Sequence, residues 1–279
     1  MSTTELTASI RRALEEDRVG QDRTTRALLP RGIPARARVS AQATGIVSGL
    51  VTAKLIAASQ GLRCTFAVHD GDPVRKGTVV LELRGDARSI LSVERTLLNY
   101  LTHLSGVATA TAKAVRAVGR SKKAPKIYAT RKTLPGLRDL EKAAVVHGGG
   151  YPHRRDLSDA LLVKNNHLAL VPLSEAVVRT RNRGPVVQIE IRSAREALRA
   201  VRAGARSLLI DNASPAQSRS IIRALVRSGL RKGVWIELSG GITPANVRRY
   251  ARVGADAVSL GALTHSAPAL PFHLTIGRA

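Results

Sequence analysis

The chain is predicted to be an α/β protein in which a mixed α+β section leads into a barrel of parallel strands. Three observations predict it. After Lys122, short apolar runs alternate with helical patterns, the signature of parallel strands joined by right-handed crossovers. Each of those runs ends on a polar or glycine-rich step, as strands do at the working rim of a barrel. Before Lys122 the pattern is instead one of helices and local hairpins, and 279 residues are enough for a small domain joined to a barrel.

Taken in order, Glu5–Asp17 has helical spacing with Leu6, Ile10 and Leu14 on one face. Gly20–Thr25 reads as a loop. Arg36–Ser48 alternates loosely, as strands around a turn at Gly45, and Val51–Gln60 reads as a helix. Arg63–His69 and Thr78–Leu83 form a hairpin about the turn Asp70-Gly71-Asp72-Pro73. A helix from near Ala87 carries a stripe of Leu91, Leu97, Leu98, Leu101 and Leu104, with an interruption or kink at Ser105-Gly106.

The predicted barrel strands are Lys126–Thr130, Ala160–Lys164, Val186–Glu190, Ser207–Asp211, Trp235–Leu238 and Ala257–Leu260. Helices are predicted over Ser174–Arg183, Ala194–Ala203, Pro215–Ser228 and Pro244–Val253. The strands end on Arg131-Lys132, Lys164, Glu190, Asp211-Asn212, Ser239-Gly240-Gly241 and Gly261, so these groups share one rim.

Composition narrows the function. No apolar run approaches a membrane span, and the N-terminus lacks a basic flank followed by an apolar core, so a soluble, cytoplasmic protein is expected. A single cysteine, Cys64, excludes an intramolecular disulfide and a cysteine-clustered metal site. The net charge of +25 is the unusual quantity. Its arginines are scattered along predicted helices, and two Phe, one Trp and four Tyr offer little for base stacking. No dedicated nucleic-acid or membrane partner is therefore expected. The charge reads as an Arg-rich solvated surface that steers anions inward.

The rim residues point to a polyanionic substrate. Around the triple glycine Gly148-Gly149-Gly150, read as flexible, gather Thr130-Arg131-Lys132, His153-Arg154 and Lys164. A guanidinium grips a carboxylate bidentately and an ammonium adds a point charge. Singly, an Arg-Lys step is more often solvated surface and a lone histidine is more often structural. Lys164 is harder to dismiss, because a strand-end lysine points into a barrel mouth. Glu190 and Asp211 end successive strands. They suit Mg²⁺ shared with substrate phosphates, or equally salt bridges to the basic ring. Ser239-Gly240-Gly241, leading to a helix start at Thr243-Pro244, and Gly261 one strand later suit phosphate bound through backbone amides. Arg95, by spacing alone, is a surface arginine paired with Glu94 or a nearby carboxylate.

The ordered segments ERTLLNYLTHLSGVATAT (94–111), TRKTLPGLRDLEKAAVVHGGG, PHR, LLVKNNH, IDN, LSGGIT and SLGALTHS resemble the quinolinate phosphoribosyltransferase family over essentially the whole chain. The resemblance implies an N-terminal α/β sandwich (residues 1–105, its last helix shared with the barrel to about 120), an incomplete α/β barrel (106–265) and a C-terminal segment (266–279) returning to the sandwich. It also implies a pentosyltransferase of NAD synthesis that joins quinolinate to phosphoribosyl pyrophosphate and releases pyrophosphate and carbon dioxide. Mg²⁺ would be the cofactor. The assembly would be a homodimer with shared sites, and a hexamer built as a trimer of dimers is the larger form. By matching motifs, Thr130, Arg131, Lys132, His153, Arg154 and Lys164 line the quinolinate pocket, and Arg95 reaches in from the partner subunit. Glu190 and Asp211 bind Mg²⁺ and the ribose hydroxyls, while Ser239, Gly240, Gly241, Ser259 and Gly261 hold phosphate. Lys132, Lys164, Glu190 and Asp211 carry the catalytic roles.

Three positions depart from the common family pattern: Ala129 for an acidic residue, Pro152 for Asn, and Asn165 for the Asp of KDNH. The last removes a carboxylate beside Lys164 and should leave that lysine more available to substrate. Two other readings compete. A related pyrophosphorylase-like phosphoribosyltransferase would use an altered substrate, and a nucleic-acid-binding protein would exploit the charge.

Overall fold

The computed structural model describes residues 3–119, 121–184 and 187–279. In chain order the elements are α1 (Thr3–Glu16), α2 (Arg23–Leu28), β1 (Pro34–Ala41), β2 (Gly45–Ile46), α3 (Leu50–Ser59), β3 (Arg63–Phe66), β4 (Pro73–Val74), β5 (Val79–Asp86) and α4 (Ala87–Val118). There follow β6 (Lys126–Tyr128), α5 (Arg138–His147), β7 (Leu161–Val163), α6 (Asn165–Leu168), α7 (Leu173–Thr180), β8 (Val187–Ile191), α8 (Ala194–Arg202) and β9 (Ser207–Asp211). Last come α9 (Pro215–Arg227), β10 (Trp235–Ser239), β11 (Ala257–Ser259), α10 (Ala262–His265) and β12 (Phe272–Arg278). No helix of the described residues is long and apolar enough to cross a membrane.

The chain divides into two compact units. The first comprises Met1–Ala112, Pro135–Gly149 and Ala267–Ala279. Its four-stranded sheet has the order β12-β1-β5-β3, with antiparallel neighbours. The period-two pattern of β1 buries Ala35, Ala37, Val39 and Ala41 and turns Arg36 and Arg38 outward. There both guanidinium groups meet Glu82 of β5. The buried face joins Ile10, Leu14, Ile56, Ile90, Leu97 and Leu101 from α1, α3 and α4 in one core, which is the layered arrangement of an α/β sandwich.

Four local expectations need correction in this unit. The predicted loop Gly20–Thr25 contains the start of α2, because Asp22 caps it by accepting the Thr25 N–H at 2.9 Å. Gly45 lies in a strand rather than a turn, and β2 pairs with β4 instead of with β1. The predicted hairpin is real in that β3 pairs with β5, but its turn segment departs to supply β4. Helix α4 runs uninterrupted through Ser105-Gly106. Ser105 is buried, accepting the Ser48 N–H at 2.9 Å and donating to the Ser48 carbonyl at 3.1 Å. A Cβ on Gly106 would press on the backbone of Pro268 and Ala269. These two residues make room for a close backbone crossing, so no break is needed.

The second unit comprises Lys113–Leu134 and Gly150–Ser266. Its six strands are hydrogen-bonded in the order β6-β11-β10-β9-β8-β7, every pair parallel. Among the described residues, strands β6 and β7 do not pair with each other, so the barrel is open; beyond β6 these residues give a bridge between Tyr128 and Tyr151. On one face Ile189, Ile191, Leu208, Ile210, Ile236 and Leu238 are buried as the apolar layer. The alternate positions, Gln188, Glu190, Asp211, Glu237 and Ser239, share the other face. The predicted strand from Val186 begins at Val187; Val186 itself lies outside the described residues.

Two further expectations fail. The helix predicted over Pro244–Val253 is only a 3₁₀ turn at Val247–Tyr250. Asn246 holds the loop in that form, accepting the Thr243 N–H at 2.9 Å and donating to the Gly241 carbonyl at 3.0 Å. The triple glycine, expected to be flexible, is tightly packed at Gly148. A Cβ on Gly148 would collide with the Ala108 carbonyl and Thr111 of α4, and Gly149 has φ +84°.

Candidate active site at the carboxyl ends of the barrel strands

Strands β8 and β9 run in parallel register, Glu190 opposite Leu209, so their terminal carboxylates emerge together. Glu190 is raised above the ordinary carboxylate range, first by burial and then by the charge of Asp211; Arg192 and Lys164 act in the opposite direction. Arg192 places one guanidinium nitrogen 3.9 Å from Glu190 Oε1 and 3.8 Å from Asp211 Oδ2. The side-chain amide of Asn165 donates to Glu190. Asn212, in the left-handed region at φ 53°, donates to Asp211 Oδ2 at 2.7 Å.

The glycine loop after β10 closes onto this pair. The Asn212 N–H donates to the Ser239 carbonyl at 2.9 Å. Gly240 (φ +88°) lies so close to Asn212 that a Cβ there would overlap its side chain. Gly241 also takes a left-handed φ of +63°. Only glycine satisfies both demands at Gly240. The helix start expected at Thr243-Pro244 is absent, and α10 after β11 has four residues.

The basic residues form a second cluster. Arg131 and Arg154 are near enough that Arg154 is pulled below its ordinary range, by burial first and then by the charge of Arg131. Arg131 Nε is buried with no hydrogen-bond partner among the described residues, a donor with capacity to spare. Thr130 Oγ1 accepts the Lys132 N–H at 3.0 Å. The Lys132 side chain lies against Gly261, where an added Cβ would sit 3.0 Å from its Cδ, and Thr264 donates to the Lys132 carbonyl at 2.7 Å. Lys164 is exposed, and its backbone N–H donates to His167 Nδ1 at 2.8 Å. Ser259 is buried, donating to the Leu238 carbonyl at 3.4 Å. His153 takes φ 55° and points its Nε2 at Glu237, 3.3 Å away.

The structure thus brings together Glu190, Asp211 and Lys164, with Ser239 and Gly240 joined to the Asp211-Asn212 step. It pairs Lys132 with Gly261, and Arg131 with Arg154. Arg95 belongs to the first unit, where it lines a hollow of about 400 Å³ with Asn99, Tyr100 and His103. Residues the sequence reading passed over are Arg192, Gln188 and Glu237. The last two carried a signal: each lies two positions before a predicted site residue, Glu190 or Ser239, and so shares its face.

An open parallel barrel with paired carboxylates, adjoining guanidinium groups and a glycine loop at one rim defines an α/β-barrel enzyme built for a small polyanion. The comparisons specify it further. Residues 22–105 match the family model for the quinolinate phosphoribosyl transferase N-terminal domain, and residues 107–275 match that for the C-terminal domain. The chain is 40% identical over 271 residues to a probable nicotinate-nucleotide pyrophosphorylase (carboxylating) of Methanothermobacter thermautotrophicus, covering 96% of this chain and 97% of that one. It is 38% identical over 276 residues to the nicotinate-nucleotide pyrophosphorylase (carboxylating) of Mycobacterium leprae, covering 96% of each. The solved nicotinate-nucleotide pyrophosphorylase of Francisella tularensis superposes with a TM-score of 0.91 at 31% identity, covering 99% of this chain and 98% of that one. The chain belongs to the quinolinate phosphoribosyl transferase family.

Proposed function

We propose that the chain transfers the phosphoribosyl group of phosphoribosyl pyrophosphate to quinolinate with decarboxylation, giving nicotinate mononucleotide, pyrophosphate and carbon dioxide for NAD synthesis. The observation that carries this reading is the pair Arg131 and Arg154, two mutually repelling guanidinium groups, one with a buried unused donor. Two cations held together in this way are relieved by a substrate with two adjacent carboxylates.

In this reading Arg131 and Arg154 grip the dicarboxylate, with Thr130, Lys132 and Lys164 completing its pocket and His153 supporting Arg154 from behind. Arg95 of a second copy would close it in a homodimer, with a trimer of dimers as the larger assembly. Residues 1–105 act as the sandwich and 106–265 as the catalytic barrel. Backbone amides at Ser239, Gly240, Gly241 and Gly261, with Ser259 behind them, hold phosphate. The pyridine nitrogen already has its lone pair, so no residue need abstract a proton. As pyrophosphate leaves, positive charge develops on the ribose, and Glu190 and Asp211 stabilise it while Lys132 and Lys164 balance the anions. Once alkylated, the ring accepts the electron pair released by loss of the 2-carboxylate. The protein's contribution is positioning and electrostatics.

The two carboxylates also fit a divalent cation. Among the described residues no group of three or more His, Cys, Asp or Glu side chains converges, so a cation here would take its remaining ligands from water or substrate oxygen, as Mg²⁺ does. When bound, Mg²⁺ supplies positive charge to the pyrophosphate, held by Glu190 and Asp211. A cytoplasmic location fits this soluble-substrate chemistry.

The test is incubation with quinolinate, phosphoribosyl pyrophosphate and Mg²⁺. Nicotinate mononucleotide should appear, with carbon dioxide and pyrophosphate released one to one. Product without carbon dioxide, or turnover of nicotinate in preference to quinolinate, would overturn the substrate assignment.

A further inference from the structure

Glu237 is a buried ionisable group that the proposed reaction does not use. It sits in the middle of β10, 3% exposed, two residues below Ser239 on the same face. Burial pushes its carboxyl up. The hydrogen bonds from His153 and Gln188 outweigh burial and leave it below the ordinary range. Gln188 Nε2 donates to Glu237 Oε2 at 3.0 Å, leaving Oε1 directed to His153.

His153 meets this carboxylate in a constrained way. Its left-handed φ of 55° is uncommon for a residue with a Cβ and persists only where the surroundings impose it. Nδ1 accepts the N–H of the next residue, Arg154, at 2.7 Å. The hydrogen bonds therefore assign the ring proton to Nε2, which donates to Glu237, and both ring nitrogens are engaged. Tyr128 stands edge-on to the imidazole, with centroids 5.7 Å apart and planes at 86°. The next side chain is that of Arg154, tied through Nη1 to the Ala160 carbonyl at 3.0 Å.

We propose that Glu237 and Gln188 are positioning residues: the buried carboxylate holds His153 in its left-handed conformation and so sets the direction in which Arg154 leaves the backbone. His153 is then a strut for the anion-gripping arginine, with no nitrogen left to bind a carboxylate itself. This rests on the reading that Arg154 holds the dicarboxylate.

The experiment combines equilibrium binding of quinolinate and of phosphoribosyl pyrophosphate to the full chain with the ¹⁵N signals of the His153 ring. Glu237→Ala should weaken quinolinate binding about tenfold or more, the scale of losing a hydrogen bond to a charged group. Phosphoribosyl pyrophosphate binding should stay within about twofold, and KM for quinolinate should move more than kcat. Adding His153→Ala to Glu237→Ala should cost nothing further, since Glu237 acts through His153. Glu237→Gln, which keeps the shape and an acceptor oxygen, should bind quinolinate within about threefold of wild type. That variant decides the matter if Glu237→Ala does not fold. Equal loss of both ligands, additive effects, or a tenfold loss in Glu237→Gln would overturn the proposal. The ring signals are independent of substrate: wild type should show the Nε2–H tautomer fixed, and Glu237→Ala should lose it. If wild type bound no quinolinate, the substrate reading would fail while the ring signals still decided the strut.

Discussion

The side-chain amide of Asn165 donates to the carboxylate of Glu190, joining the residue after Lys164 to the end of β8. Asn at this position, where the family resemblance implies Asp, therefore does more than spare Lys164 an ion pair. An amide can hold Glu190 by donating to it, where a carboxylate would repel it. Asn165→Ala should release Glu190 and lower kcat/KM roughly 10- to 100-fold, the worth of one hydrogen bond to a charged group. Steady-state kinetics check this, and a loss under about twofold would remove Asn165 from the site.

Arg192 stands within 4 Å of both Glu190 and Asp211, where a divalent cation would also be drawn. Because Arg192 is exposed, solvent screens it, and about 1 kcal/mol is the appropriate scale. Arg192→Ala should tighten Mn²⁺ or Mg²⁺ binding to the apoprotein about fivefold, measured by Mn²⁺ electron paramagnetic resonance. Weaker binding in the variant would mean that Arg192 assists the metal rather than competing with it.

Arg131→Ala and Lys164→Ala should each abolish turnover while the circular dichroism spectrum and melting temperature stay close to wild type. Removing a charge that meets substrate only in the assembled site costs catalysis more than folding. Near-wild-type activity in either variant would falsify the pocket assignment.

If Arg95 completes a partner's site, subunits lacking different halves should complement. Mixing Arg95→Ala with Lys164→Ala chains should restore part of the activity, because one of the two sites in a mixed dimer is intact. The check is activity in mixed dimers verified by mass spectrometry, and no recovery there removes Arg95 from the site.

Cys64 offers a pH test. Burial pushes its thiol up to about 11 from 9.0, with Lys54 acting weakly the other way. The thiolate is the reactive form, and its fraction grows as pH rises toward that value. At pH 8 alkylation should run about 100-fold slower than for the unfolded chain, the ratio expected from a two-unit rise. Equal rates in folded and unfolded protein would show that the thiol is not shielded.

The sequence by itself determined the fold class and most of the rim. Alternating strand and helix periods from Lys126 onward, and polar residues at strand ends, report the local backbone and the burial of one face, which are properties of neighbours in the chain. The predicted strand Ser207–Asp211 coincides with β9 for that reason. The same local logic failed at Ser105-Gly106 and at Pro244–Val253, where partners distant in the chain or a side chain capping its own loop set the conformation. Tertiary structure alone decided which polar groups touch. Asn165 of α6 reaches Glu190 of β8 across 25 positions, and Gln188 of β8 reaches Glu237 of β10 across 49, contacts that no local pattern encodes. His153 looked like an anion ligand beside Arg154. Only the folding of β10 placed a buried carboxylate at its Nε2.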